Sequence, residues 1–104
     1  MDSYTLERQG PQLVACIHGE TTASLISDMK VKILAGMDDP NLQAVILDLS
    51  HVMFIDSMGI NLLVTLSNRM KDAGKQLMLK NPSDRVSKVL KLVQLDTHFA
   101  YWSE

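Results

Sequence analysis

An α/β domain is the fold this sequence predicts: a mixed, mostly parallel sheet of four to five strands with three to four helices packed against it. Three observations carry that expectation. The run Ala44-Val45-Ile46-Leu47-Asp48-Leu49 is almost wholly apolar and rich in β-branched residues, which reads as a central strand covered on both faces. Segments with apolar residues at helical spacing stand before and after it, and a strand, helix, strand unit in one sheet closes as a right-handed parallel crossover. The length of 104 residues suffices for one core and not for two, so a single domain is expected over residues 1–104.

In chain order, Thr5 to Arg8 and Leu13 to His18 read as two strands. The short Gln9-Gly10-Pro11-Gln12 link between them makes the pair antiparallel. Leu13, Ala15 and Ile17 alternate with Val14, Cys16 and His18 without a strongly polar side, so the second strand is expected to be buried on both faces. Gly19-Glu20-Thr21-Thr22 breaks it and supplies capping hydroxyls. From Ala23 to Met37 a helix places Leu25, Ile26, Met29, Ile33, Leu34 and Met37 on one side, and Asp38-Asp39-Pro40-Asn41 ends it.

The strand at Ala44 to Leu49 comes next, followed by a helix over Ile60 to Ala73 with Leu63, Leu66 and Met70 as its stripe. Gly74 stands where a left-handed C-terminal cap belongs. Gln76 to Lys80 is a further strand, and Asn81-Pro82-Ser83-Asp84 a turn that opens a third helix with Val86, Val89, Leu90 and Val93 inward. Phe99 to Trp102 closes the chain as an edge strand.

Composition narrows the function classes. Apolar residues make up 46% and charged ones 21%, with a net charge of -2 and no basic run, so nucleic-acid binding is disfavoured. The polar Met1-Asp2-Ser3-Tyr4 start shows no secretory signal, and no apolar run approaches the roughly 18 residues a bilayer demands. Cys16 is the one cysteine, so a reducing, cytoplasmic setting is expected.

Asp56-Ser57-Met58-Gly59 lies between the central strand and the second helix. Loops leaving the C-terminal ends of parallel strands hold sites in α/β proteins, because helix N-termini present free donors there. A Ser57 hydroxyl at a helix start is suited to receive a phosphoryl group, with the amides of Met58, Gly59 and Ile60 as donors to it. Asp56 beside it would repel the roughly -1.5 to -2 charges of a phosphoserine. The plainer alternative stays open on spacing alone: serine and aspartate are good N-caps. A capping box from Ser57 would want Glu or Gln where Ile60 stands.

The segment from Val45 to Ile60, with its apolar strand and D-S-x-G junction, resembles the signature of STAS domains of the anti-sigma factor antagonist (anti-anti-sigma factor) family. The likeness extends over nearly the whole chain: Gly19-Glu20 after the second strand, Gly74 before the next, and the third helix. It implies that Ser57 is the phosphorylated residue, and that Glu20, Thr21, Thr22, Asp56, Ser57, Met58, Gly59 and Asn61 meet the partner. That partner is an anti-sigma factor that doubles as an ATP-dependent serine kinase; a metal-dependent serine phosphatase reverses the modification. The unmodified form would bind the kinase and relieve its inhibition of a downstream partner, and phosphorylation would end binding. The chain departs from the family at Met58, often a second Ser or Thr, at Asn61, commonly small, and at Thr22, often Asp.

Other STAS domains are scaffold parts of signalling assemblies or cytosolic regulators of membrane transporters, so the fold without phosphorylation is the alternative. A serine hydrolase using Ser57 with His51 or His98 is disfavoured: a nucleophile elbow needs glycine where Ile55 stands. No enzyme activity and no cofactor are expected. Met53 and Phe54 are expected in the core and Met58 at the surface, as an adaptable contact. His18, His51 and His98 are dispersed without ligand spacing, so no metal site is expected, and Cys16 reads as a small buried hydrophobe. The paired lysines at 30 and 32 and at 71 and 75 read as solvated helix faces. Tyr101 and Trp102 read as cover for a sheet edge or helix face.

Overall fold

Five strands in the order β1-β2-β3-β4-β5 form one mixed sheet in the computed structural model, which describes residues 3–102. The strands are β1 (Ser3–Gln9), β2 (Gln12–His18), β3 (Ala44–Asp48), β4 (Gln76–Lys80) and β5 (Ala100–Trp102); the helices are α1 (Ala23–Ala35), α2 (Ser57–Asp72) and α3 (Asp84–Leu92). Residues 1, 2, 103 and 104 of the expected domain lie outside the described residues. β1 and β2 pair antiparallel across the Gly10-Pro11 turn, and the other three pairs are parallel. The expected element order is thus present, with a short 3₁₀ turn at Gly36–Asp38 finishing α1.

Each parallel step moves one strand further in the same direction. Three right-handed crossovers stepping one way put α1, α2 and α3 on one face of the sheet. The core forms there: Ala15 and Ile17 of β2, Val45 and Leu47 of β3, and Leu77 and Leu79 of β4 meet Leu25, Met29 and Ile33 of α1, Leu63, Leu66 and Met70 of α2, and Val86 and Leu90 of α3. Phe99 seals the same core ahead of β5.

The expectation of burial on both faces holds for β3 and is corrected for β2, because the helices cover only one face. The second face carries Val14, Cys16 and His18 of β2, all half-buried. On β3 it carries Ile46, which is only 3% exposed yet stands apart from the helix-side core. The register sets Ile46 between Val14 and Met78, so neighbouring side chains on the sheet cover it. An apolar run signals burial of both sides but does not say what does the burying.

The ends of the helices follow from local chemistry. Thr22 caps α1 by accepting from the amide of Leu25 at 3.3 Å. Gly74 has φ +73, the left-handed conformation expected of it after α2. Ser83 caps α3 and also donates to the Val52 carbonyl at 2.6 Å, which fastens α3 to the connection leading out of β3. Val93, expected in the third stripe, is instead exposed just past the end of α3, and the chain turns back so that Leu95 packs on the core. Among the described residues no helix is long and apolar enough to cross a membrane.

Candidate functional site

α2 opens at Ser57, three residues before the expected start at Ile60, and its N-cap is Asp56. The backbone of Asp56 is extended, at φ -107 and ψ -172, so its carboxylate can turn back over the first turn. One oxygen, Oδ1, accepts from the amides of Met58 and Gly59, each at 3.1 Å. The Asp56 carbonyl takes the Ile60 amide at 3.0 Å. These three amides were the donors expected to receive a phosphate, and all three are engaged. The correction has a physical basis: the N-cap carboxylate of Asp56 holds two of them, and its backbone carbonyl takes the third as the first helical bond.

Ser57 is exposed at the first helical position, beside that carboxylate. Around it, Met58 is 46% exposed and Met53 and Phe54 are each 58% exposed. Met53 and Phe54 therefore lie outside the core where the sequence placed them. The chain leaves the strand after Asp48 and loses its alternation; Leu49, Val52 and Ile55 take the inward positions of the connection instead. Within four residues of the exposed Ser57 along the chain, three large apolar side chains are thus left in water, an arrangement that favours contact with another protein surface.

Gly59 joins this loop to its neighbour. A Cβ there would lie 2.6 Å from Cγ1 of Ile55 and 3.2 Å from Oγ1 of Thr21, so only glycine lets the first turn of α2 settle at this depth. Thr21 is 8% exposed and is the one buried polar side chain of the described residues. Glu20 and Thr22 beside it are exposed, as is Asn61 one position past Ile60 on α2. The structure thus brings Gly19-Glu20-Thr21-Thr22 and Asp56-Ser57-Met58-Gly59 to the same end of the sheet, with Thr21 and Gly59 turned inward as the packing between them.

On the second face of the sheet, side chains far apart in sequence meet. His51, from the connection after β3, stacks on His18 at 5.3 Å between ring centroids, and a Cys16 sulfur and one nitrogen from each ring lie within 4.8 Å of one another. The linear spacing concealed this: Cys16 and His18 share a face by strand alternation, and His51 arrives through the fold. Cys16 is half-buried rather than sealed. Burial, followed by the Asp48 carboxylate beside it, raises the pKa of its thiol. Burial works to raise the Asp48 carboxyl in turn, but bonds from the Ser50 amide at 3.0 Å and hydroxyl at 2.7 Å outweigh it and hold that group below the usual range. His98 remains apart, edge-on to Phe99.

Comparison with known proteins places this geometry. The family model of the STAS domain matches residues 4–103. Among solved structures, the anti-sigma factor antagonist SpoIIAA in its unphosphorylated form superposes with a TM-score of 0.84 at 21% identity, over 98% of this chain and 90% of that one. The Bacillus cell fate determinant SpoIIAA in the phosphorylated form superposes at 0.79 and 20% identity, over 98% and 93%. An anti-sigma factor antagonist from Mycobacterium paratuberculosis gives 0.75 at 23% identity, over 100% and 87%.

Proposed function

The chain belongs to the STAS domain family, and on that premise we propose that it is a phosphorylation-controlled protein-binding switch with Ser57 as the modified residue. The observation that carries this reading is the exposure of Ser57 at the first position of α2, with Met53, Phe54 and Met58 also exposed within four residues of it along the chain and the helix start already capped by the Asp56 carboxylate. In the unmodified form the apolar side chains dock on the partner and Ser57 contributes a neutral hydroxyl at the centre. The partner is an anti-sigma factor with serine kinase activity, held in the cytoplasm and inhibited in its own binding when this domain occupies it. Glu20, Thr22 and Asn61 line the edge of that contact, while Thr21 and Gly59 act from beneath by fixing how the two loops pack.

A phosphoryl group changes the balance because the helix cannot absorb it. The amides of Met58 and Gly59 are held by the Asp56 carboxylate, so the added charge faces a like charge instead of free donors. Taking that charge into an interface without a basic partner costs more than the apolar contacts return. A metal-dependent serine phosphatase restores the binding form.

Incubating the chain with its kinase and ATP adds one phosphate, at Ser57, and Ser57→Ala abolishes it. In titration calorimetry Ser57→Ala binds the kinase as the unmodified chain does, whereas Ser57→Asp binds about ten-fold or more weakly, a loss of at least about 1.4 kcal/mol. Equal affinity of all three forms would sink the switch. A chain that stays unphosphorylated and co-purifies with a membrane transporter or a large signalling assembly would move the domain to a scaffold role.

A further inference from the structure

The face of the sheet that carries no helix holds a second cluster with chemistry of its own. Cys16 and His18 are two residues apart on β2, so both side chains project from that face. His51 folds over them from the connection after β3, and the three potential ligand atoms lie within 4.8 Å of one another. A tetrahedral zinc ion, with Zn–S near 2.3 Å and Zn–N near 2.0–2.1 Å, holds such atoms roughly 3.3–3.6 Å apart. Closing the cluster therefore calls for about 1 Å of movement, and His51 is exposed on the connection after β3.

We propose that Cys16, His18 and His51 form a binding site for a zinc-class divalent metal ion, with its fourth position open to water or to a ligand from another molecule. One thiolate and two imidazoles are borderline-soft donors, which select zinc and its neighbours over magnesium or calcium. On binding, the Cys16 thiol gives its proton to solvent and its electron pair to the metal, with no change of oxidation state. Asp48 stands across from Cys16 in the β2–β3 register and Lys80 across from Asp48, so the metal's charge lies beside a carboxylate already set in place by Ser50. Because His51 belongs to the connection that ends at Asp56, an occupied site also ties that connection to β2.

Cobalt is the probe, since its spectrum reports both ligand type and geometry. Titrated into the metal-free full-length chain, Co²⁺ gives a near-ultraviolet thiolate charge-transfer band and four-coordinate visible bands that saturate at one ion per chain and are bleached by Zn²⁺. Cys16→Ser removes the charge-transfer band. His18→Ala and His51→Ala each weaken Co²⁺ binding about ten-fold or more, and His98→Ala leaves it unchanged. Circular dichroism of His51→Ala, altered at an exposed loop residue, keeps the test independent of any folding defect at Cys16. Absence of the band in the folded chain overturns the site, as does a band whose affinity survives both histidine replacements, the mark of a thiol binding metal alone.

Discussion

Asp56 does two things with one carboxylate. It satisfies two of the four orphan amides that every helix start presents, and it puts a fixed negative charge next to the hydroxyl of Ser57. The first role has a measurable size. Asp56→Ala leaves the Met58 and Gly59 amides without their acceptor and destabilises the domain by about 1 kcal/mol, while Asp56→Asn, an equally good cap, stays within a few tenths. Urea unfolding of the three proteins separates them, and equal midpoints for Ala and wild type would show that the cap bonds contribute nothing. The sequence offered both Asp56 and Ser57 as good N-caps, for a helix it placed only from Ile60. What decides between them is backbone conformation: the extended φ and ψ of Asp56 allow its side chain to reach back. The identity of Ser57 as the residue of interest was legible from the D-S-x-G resemblance, whereas the exposure of Met53 and Phe54 was not, because hydrophobicity alone does not reveal where a strand stops.

At the level of elements, the connection from β3 to α2 is held by its neighbours more than by its own structure. It contains no regular secondary structure from residue 52 to 56, yet Val52 and Ile55 are buried and the Val52 carbonyl accepts from Ser83 Oγ at 2.6 Å. The same oxygen accepts from the Val86 amide at 3.3 Å, so one hydroxyl caps α3 and anchors the connection that leads to Ser57. Ser83→Ala removes both bonds and is expected to destabilise the domain by about 2 kcal/mol, the sum of a lost cap and an unmet carbonyl. Hydrogen exchange is the sharper measurement: amides from residue 52 to 60 lose protection along with those at the start of α3. Exchange that rises in α3 alone would mean that the serine serves only its own helix. The Asn81-Pro82-Ser83-Asp84 run announced a turn and a cap in the sequence, but the bond to Val52 spans 31 residues and has no local signature. Element types were legible from periodicity and turn residues. Boundaries drifted where a helix end is set by a cap one residue away, as at Ser57, or by a 3₁₀ turn, as at Gly36–Asp38.

Over the whole molecule, the handedness of three crossovers decides the distribution of stability. With every helix on one face, two adjacent residues of β3 that look alike in the sequence meet different surroundings. Leu47 is 0% exposed and packed inside the core between sheet and helices; Ile46 is 3% exposed and covered on the other face by side chains on neighbouring strands, with no helix above. Truncating Leu47 opens a cavity between rigid layers that cannot close, so Leu47→Ala is expected to cost about 3–5 kcal/mol, near the upper part of the range for such changes. Truncating Ile46 leaves a gap that Val14 and Met78 can lean into and water can reach, so Ile46→Ala is expected to cost about 2 kcal/mol, the transfer term with little cavity added. The chain read as a string predicts equal losses, because both residues sit in one continuous apolar run and only the topology tells them apart. Equilibrium unfolding of the two variants decides it. Equal destabilisation would mean that the helix-free face is as rigidly packed as the core.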